Sequence, residues 1–119
     1  MARSRAESDA FHAVADPTRR GLLDLLLLRA DQCVAELAAH FRCTQPAISQ
    51  HLRVLRRAGL VTFQRVDREH RYRLMALPLA VVGAWLHPYQ QAIATELAAV
   101  RGGREARTPR HPRRPARDR

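Results

Sequence analysis

Lysine is absent from this chain: all 21 of its basic residues are arginine. Acidic side chains number 11, which leaves a formal charge of +10 at pH 7. Such a surplus points to a polyanionic partner. A GC-rich genome also enriches arginine, so the bias carries only part of that weight. Cysteine is scarce, and Cys33 and Cys43 alone cannot form a disulfide framework; reduced thiols are the expectation. No run of about 18 apolar residues occurs, so no transmembrane span is expected. The segment from Met1 to Asp9 lacks the apolar centre of a signal peptide, which places the chain in the cytoplasm. No acid/base pair, nucleophile motif, phosphate loop or cofactor signature is present, so neither an enzyme nor a cofactor is expected.

With 119 residues the chain has room for one domain with a modest core. Residues 1–102 read as that domain. Residues 103–119 read as an Arg/Pro-rich tail, with seven arginines from Arg104 to Arg119 against Glu105 and Asp118. Such a composition cannot bury a core and is expected to be disordered. Within the domain, a first helix is predicted from about Ser4 to Ala15. Asp16 then caps a second helix with Pro17 at its first position, and the run Leu22 to Leu28 is apolar nearly all round, as in a central core helix. A short third helix covers Val34 to Phe41.

After the turn Arg42-Cys43-Thr44 comes the most informative stretch. Thr44 is a good N-cap and Pro46 sits where its missing N–H is harmless. At about 100° per residue, Ile48, Leu52 and Leu55 share one side. Ser49, Gln50, Arg53 and Arg57 share the other, and such side chains hydrogen-bond base edges in a major groove. A short helix, a tight turn and a helix of this kind form a helix-turn-helix. Gly59 ends the helix after Arg56-Arg57. Leu60 to Val66 and Arg71 to Met75 then read as two strands around a polar turn, Asp67 to His70, making a wing. A last helix from Pro78 to about Arg101 should bend at Pro88. It carries more apolar surface than the core needs, and the surplus reads as a dimer face shared with the first helix: Phe11, Val82, Trp85, Leu86, Tyr89, Ile93 and Leu97. The fold class is therefore mainly α with a small β-hairpin, a winged helix-turn-helix of about five helices and a two-stranded wing.

The segments Ala15-Asp-Pro-Thr-Arg-Arg20, Val34-Ala-Glu-Leu-Ala38, Thr44 to Leu55, Ala58-Gly-Leu-Val61 and Tyr72-Arg-Leu74 together resemble the ArsR-type (arsenic-repressor-like) family of bacterial winged-helix repressors. The resemblance covers roughly residues 8 to 100. It implies a homodimer built from the first and last helices, bound to a palindromic operator, repressing transcription, with an inducer that lowers DNA affinity. It also implies a location at the bacterial nucleoid. Three departures stand out. The family's metal-sensing branch looks like Cys-Val-Cys at the start of the third helix, whereas this chain has Cys33-Val34-Ala35. The other familiar metal site needs carboxylates and histidines along the last helix, which here offers His87 and Glu96. The turn usually resembles Gly-Leu-Ser, so Arg42 would have to adopt the backbone conformation a glycine supplies. The chain resembles the branch without the metal sites.

On this reading Ser49, Gln50 and Arg53 contact bases or phosphates, while Thr44 and Gln45 at the helix N-terminus position the backbone. Arg68 and Arg71, with His70 beside them, form the contacting wing tip, and Arg65 and Arg73 support it. The bland alternative is an ordinary solvated face. Cys33 is a candidate metal or redox ligand, but a single thiolate lacks the partners of a closed site, and its plain reading is a small, half-buried apolar residue. A Cys33–Cys43 disulfide stays open, as does the tail's contribution to phosphate affinity. His40, His51 and His87 read as helix-surface or boundary residues. The function expected is a sequence-specific regulator of transcription acting on double-stranded DNA, with no membrane partner and an effector that is unknown. Two alternatives remain: a metal- or redox-responsive repressor using Cys33, and a non-specific basic nucleic-acid-binding protein.

Overall fold

A computed structural model describes residues 5–106, the side chains of 104–106 excepted. The described residues fall into two compact units, one up to Gly83 and one from Ala84 onward. The first begins with α1 (Arg5–Val14) and α2 (Pro17–Leu28). The Asp16 side chain accepts the Arg19 N–H at 3.0 Å and so caps α2, with Pro17 at the first helical position. Two arginines of the same turn reach back to the end of α1. Arg19 donates through Nε to the Ala13 carbonyl at 2.8 Å and through Nη2 to that of His12 at 2.9 Å, and Arg20 donates to Val14 at 2.9 Å. The carbonyls that end a helix without partners are thereby satisfied by side chains. Leu22, Leu23 and Leu26 are buried, but Leu27 and Leu28 remain 72% and 82% exposed. The helix is central through one stripe only; its last two leucines project beyond the core.

The third helix, α3 (Val34–Ala38), is shorter than its pattern predicts. His40 and Phe41 donate to the carbonyls of Leu37 and Ala38, three residues back, which tightens the chain out of α geometry. Its start is held by the Glu36 carboxylate, which accepts the Cys33 N–H at 2.9 Å. Arg42 does not take the left-handed conformation expected of it. Among the described non-glycine residues that conformation falls to Asp31, Asp67 and Arg68.

Next, α4 (Gln45–Arg57) is capped by Thr44, whose hydroxyl accepts the Ala47 N–H at 3.2 Å. Ile48, Leu52 and Leu55 are fully buried against Leu22, Leu37 and Leu60, forming the core with Ala13, Val61 and Tyr72. The helix ends on Gly59 at φ +77°. The Gly59 N–H donates to Arg56 and the Leu60 N–H to Leu55, both at 2.9 Å, which is the paired closure of a helix on a left-handed residue.

The wing consists of β1 (Val61–Val66) and β2 (Glu69–Leu74), antiparallel, from Val61↔Leu74 to Val66↔Glu69. The connecting loop is two residues, not the four predicted. Asp67 and Arg68 both have positive φ, 51° and 70°, the conformation whose twist matches that of two paired strands. His70 consequently lies in β2. On its other side β2 pairs with Gln32 at one bridge: the Tyr72 N–H donates to the Gln32 carbonyl at 2.9 Å. The Gln32 side chain is buried and donates to the Leu25 and Arg29 carbonyls at 2.9 and 2.7 Å, closing the end of α2.

A 3-10 turn, Leu77–Leu79, leads into α5 (Ala80–Ala106), which contains Pro88 and continues through Gly102 and Gly103 instead of stopping near Arg101. The remainder of the Arg/Pro-rich tail expected to be disordered lies outside the described residues. In the second unit Trp85, Tyr89, Ile93, Leu97 and Val100 are exposed. Their spacing places Trp85, Tyr89, Ile93 and Leu97 along one stripe, and the Trp85 and Tyr89 rings lie 5.2 Å apart. No helix among the described residues is long and apolar enough to cross a membrane.

Candidate nucleic-acid interface

Because Ile48, Leu52 and Leu55 turn inward, the helical period turns the opposite face of α4 to solvent. Gln50 and Arg53 are exposed there, Ser49 is half-buried, and Gln45 is exposed in the first turn. The Arg53 guanidinium donates to the Gln50 side-chain carbonyl at 3.1 Å. One turn further, Arg56 and Arg57 join Arg53 around an open depression of about 460 Å³. Among the described residues no ion pair engages Arg53 or Arg56, while Arg57 shares a small hollow with Asp9 of α1.

His51 does not sit on the open surface. Its Nδ1 lies 3.4 Å from Arg19 Nη1 and 3.9 Å from an Asp16 carboxylate oxygen. The backbone N–H of Arg19, aided by the charges of His51 and Arg19, holds the Asp16 carboxyl below its ordinary value. The turn that starts α2 thus also touches the back of α4.

The pleat sorts the wing into two faces, since residues paired across antiparallel strands point the same way. One face carries Phe63, Arg65, His70 and Tyr72. Phe63 and His70 stack with centroids 3.9 Å apart and planes at 15°, and the Arg56 guanidinium lies 4.4 Å above the Phe63 ring. Phe63, His70 and Tyr72 line a cleft of about 240 Å³ together with Ser49, Leu52, Arg53 and Arg56 of α4. Burial pushes the Tyr72 phenol above its usual range, opposed by the charges of Arg56 and Arg53.

The opposite face carries Glu69, Arg71 and Arg73. Arg73 grips the Asp31 carboxylate at 2.8 and 3.3 Å. Arg71 donates to the Asp31 carbonyl at 3.2 Å and to Glu69 at 2.9 Å. Arg68 stands exposed at the tip.

Of the residues singled out from the sequence, Ser49, Arg53 and His70 come together at the α4–wing cleft. Gln45, Arg68 and His70 line a second hollow of about 280 Å³ with Cys33, Val34, Ala35 and Glu69. Thr44 lies at the start of α4, spent on its cap. Arg71 lies away from this group, on the Asp31 side. Arg56 and Phe63 enter the cleft although sequence reasoning passed over them. The alternation of the strands put Phe63 and Arg65 on one face, but nothing local said that α4 lies over that face.

Cys33 and Cys43 are both free and half-buried, and Cys43 packs against the core. Among the described residues no group of three or more His, Cys, Asp and Glu side chains could hold a metal ion. Of the candidate dimer residues outside the exposed stripe, Phe11, Val82 and Leu86 are half-buried.

Residues 16–62 match the model of the bacterial regulatory proteins of the arsR family. The HTH-type transcriptional repressor SmtB of Mycobacterium tuberculosis is 39% identical over 90 residues, 74% of this chain and 66% of its own length. The match therefore spans just under two thirds of that relative. A solved structure of a possible transcriptional regulator for arsenical resistance is 41% identical, covering 73% of this chain and 95% of that one, at a TM-score of 0.63. That of the ArsR family transcriptional regulator RHA00566 is 29% identical, covering 79% and 97%, at 0.65. With the helix-turn-helix, the two-stranded wing and these likenesses in agreement, the chain belongs to the ArsR family of bacterial regulatory proteins and has its winged helix-turn-helix fold.

Proposed function

We propose that this protein is a DNA-binding transcriptional repressor that acts as a homodimer on a palindromic operator. The observation that carries the reading is the exposed face of α4. Gln45, Ser49, Gln50 and Arg53 form a strip of side chains suited to base edges, continuous with the exposed charges of Arg56 and Arg57. Thr44 and Gln45 at the helix start meet phosphate, where unpaired N–H groups and the helix dipole favour an anion. Arg68 and His70 extend the contact from the wing. The exposed stripe Trp85, Tyr89, Ile93 and Leu97 is the face that a second copy covers, with the half-buried Leu86 beside it. A twofold dimer presents two α4 helices to half-sites about one helical turn apart. The repressor named among the relatives agrees with this reading.

The test is footprinting of the full chain on a duplex carrying the promoter of its own gene. Protection of two half-sites spaced by about 10 bp is the expected result. Uniform, sequence-independent protection at every concentration would instead mark a non-specific basic DNA binder.

A further inference from the structure

We propose that the wing meets the DNA backbone through its α4-facing side, with Arg65 and Arg56 binding phosphate on either flank of the Phe63–His70 stack. Arg71 and Arg73, on the opposite side, tie the wing to the domain. This inference rests on the DNA-binding reading above and assigns residues within it.

Three observations carry it. The first is register: Arg65 pairs with His70, and residues paired across strands share a face. His70 lines the cleft against Ser49, Arg53 and Arg56 of α4, so Arg65 is presented on the side where the exposed α4 face lies. The second is charge. Arg73 is engaged by the Asp31 carboxylate and Arg71 by Glu69 and the Asp31 carbonyl. Among the described residues no such partner is recorded for Arg65 or Arg56. An arginine already neutralised by a carboxylate gains little from a phosphate, because it must give up one anion to take another. An uncompensated one displaces condensed counterions in full.

The third is preorganisation. The Arg56 guanidinium carbon lies 4.4 Å from the centroid of the Phe63 ring, and that ring also stacks on His70. A guanidinium held over a ring by cation–π attraction spends no N–H donor on a carboxylate and can still fork onto phosphate oxygens. The aromatic pair therefore serves as a platform that sets the height of Arg56 above the wing.

The test is fluorescence anisotropy of a labelled 30-bp duplex with the full-length protein across a salt series. For Arg65→Ala the slope of log K against log salt should fall by about one phosphate contact, with Arg65→Lys restoring most of it. Phe63→Leu, which keeps an apolar residue but removes the ring under Arg56, should weaken binding several-fold, while Arg73→Ala leaves the slope as in wild type. Circular dichroism melts show that each variant is folded. A wild-type slope in Arg65→Ala, or an equal loss in Arg73→Ala, overturns the assignment while leaving DNA binding intact. No salt-dependent binding by the wild type overturns the underlying reading as well.

Discussion

Asp31 and Arg73, 42 positions apart, are joined at two points, with the arginine Nε and Nη2 lying 2.8 and 3.3 Å from the two carboxylate oxygens. The backbone of Asp31 is left-handed at φ 62°, and its carbonyl accepts Arg71 at 3.2 Å. One residue in the loop before α3 thus holds both arginines on the outer face of the wing. The neighbouring Gln32 bridges Tyr72 from the same loop. The wing is consequently anchored to the body along the edge of β2 that β1 leaves open.

This anchoring makes stability fall with acid. The Arg73 side chain holds the Asp31 carboxyl below the usual carboxylate range, the Cys33 N–H does the same to Glu36, and the Arg19 N–H to Asp16. A carboxyl lowered in the folded state stabilises fully above its unfolded pKa, near 4, and loses that contribution as pH falls through the lower folded value. Urea denaturation from pH 6 to 2.5 should show stability dropping below about pH 4. In Asp31→Asn the drop should be shallower; an identical acid limb would show that the Arg73 pair contributes nothing.

Helix α4 depends on its cap. Thr44→Ala removes the acceptor for the Ala47 N–H and should cost about 1 kcal/mol, whereas Thr44→Ser should keep most of it. Chemical denaturation of the three proteins checks this ordering. A Ser variant no better than Ala would remove the hydroxyl from the account.

At the other end, Gly59 sits at φ +77°. Gly59→Ala forces a Cβ into a left-handed residue and should cost about 1–2 kcal/mol, read as a lower urea midpoint at unchanged m-value. Among the described residues beyond its chain neighbours, the added atom meets a Pro78 side-chain carbon at 3.5 Å, an ordinary contact, so the loss is one of backbone strain and not of crowding.

Base reading by α4 separates from charge. Gln50→Ala or Arg53→Ala should lower affinity for the footprinted operator by about 1–3 kcal/mol and narrow its margin over random DNA. The Arg53–Gln50 hydrogen bond couples the pair, so the double variant should lose less than the sum of the two. Anisotropy with operator and scrambled duplexes measures both effects, and unchanged preference in both single variants would reject this docking of the helix.

The exposed α5 stripe makes an assembly prediction. Ile93→Glu places a charge in the middle of the apolar row formed by Tyr89, Ile93 and Leu97. Sedimentation equilibrium should show a dimer for wild type and a shift to monomer for the variant, with two-half-site protection lost in parallel. A variant that remains dimeric would place the twofold contact elsewhere.

The amino-acid sequence alone is enough for the helices, their caps and the class of fold, because these signals are local. Asp16, Thr44 and Gly59 act within a few residues of themselves, and the apolar period of Ile48, Leu52 and Leu55 is readable without a partner. It also singled out the α4 face, since an amphipathic helix in a core this small has only one side left for a ligand. Tertiary structure decided what depends on distant contacts. It showed α2 central on one stripe only, His51 held by Asp16 and Arg19, and Arg71 drawn to Asp31. It also decided which face of the wing looks at α4. Strand alternation states that Arg65 and Phe63 go together, but only the packing of Phe63 and Tyr72 against α4, and the two-residue turn that brings His70 into β2, say where that face points. A pleat has two equivalent sides until something is placed against one of them.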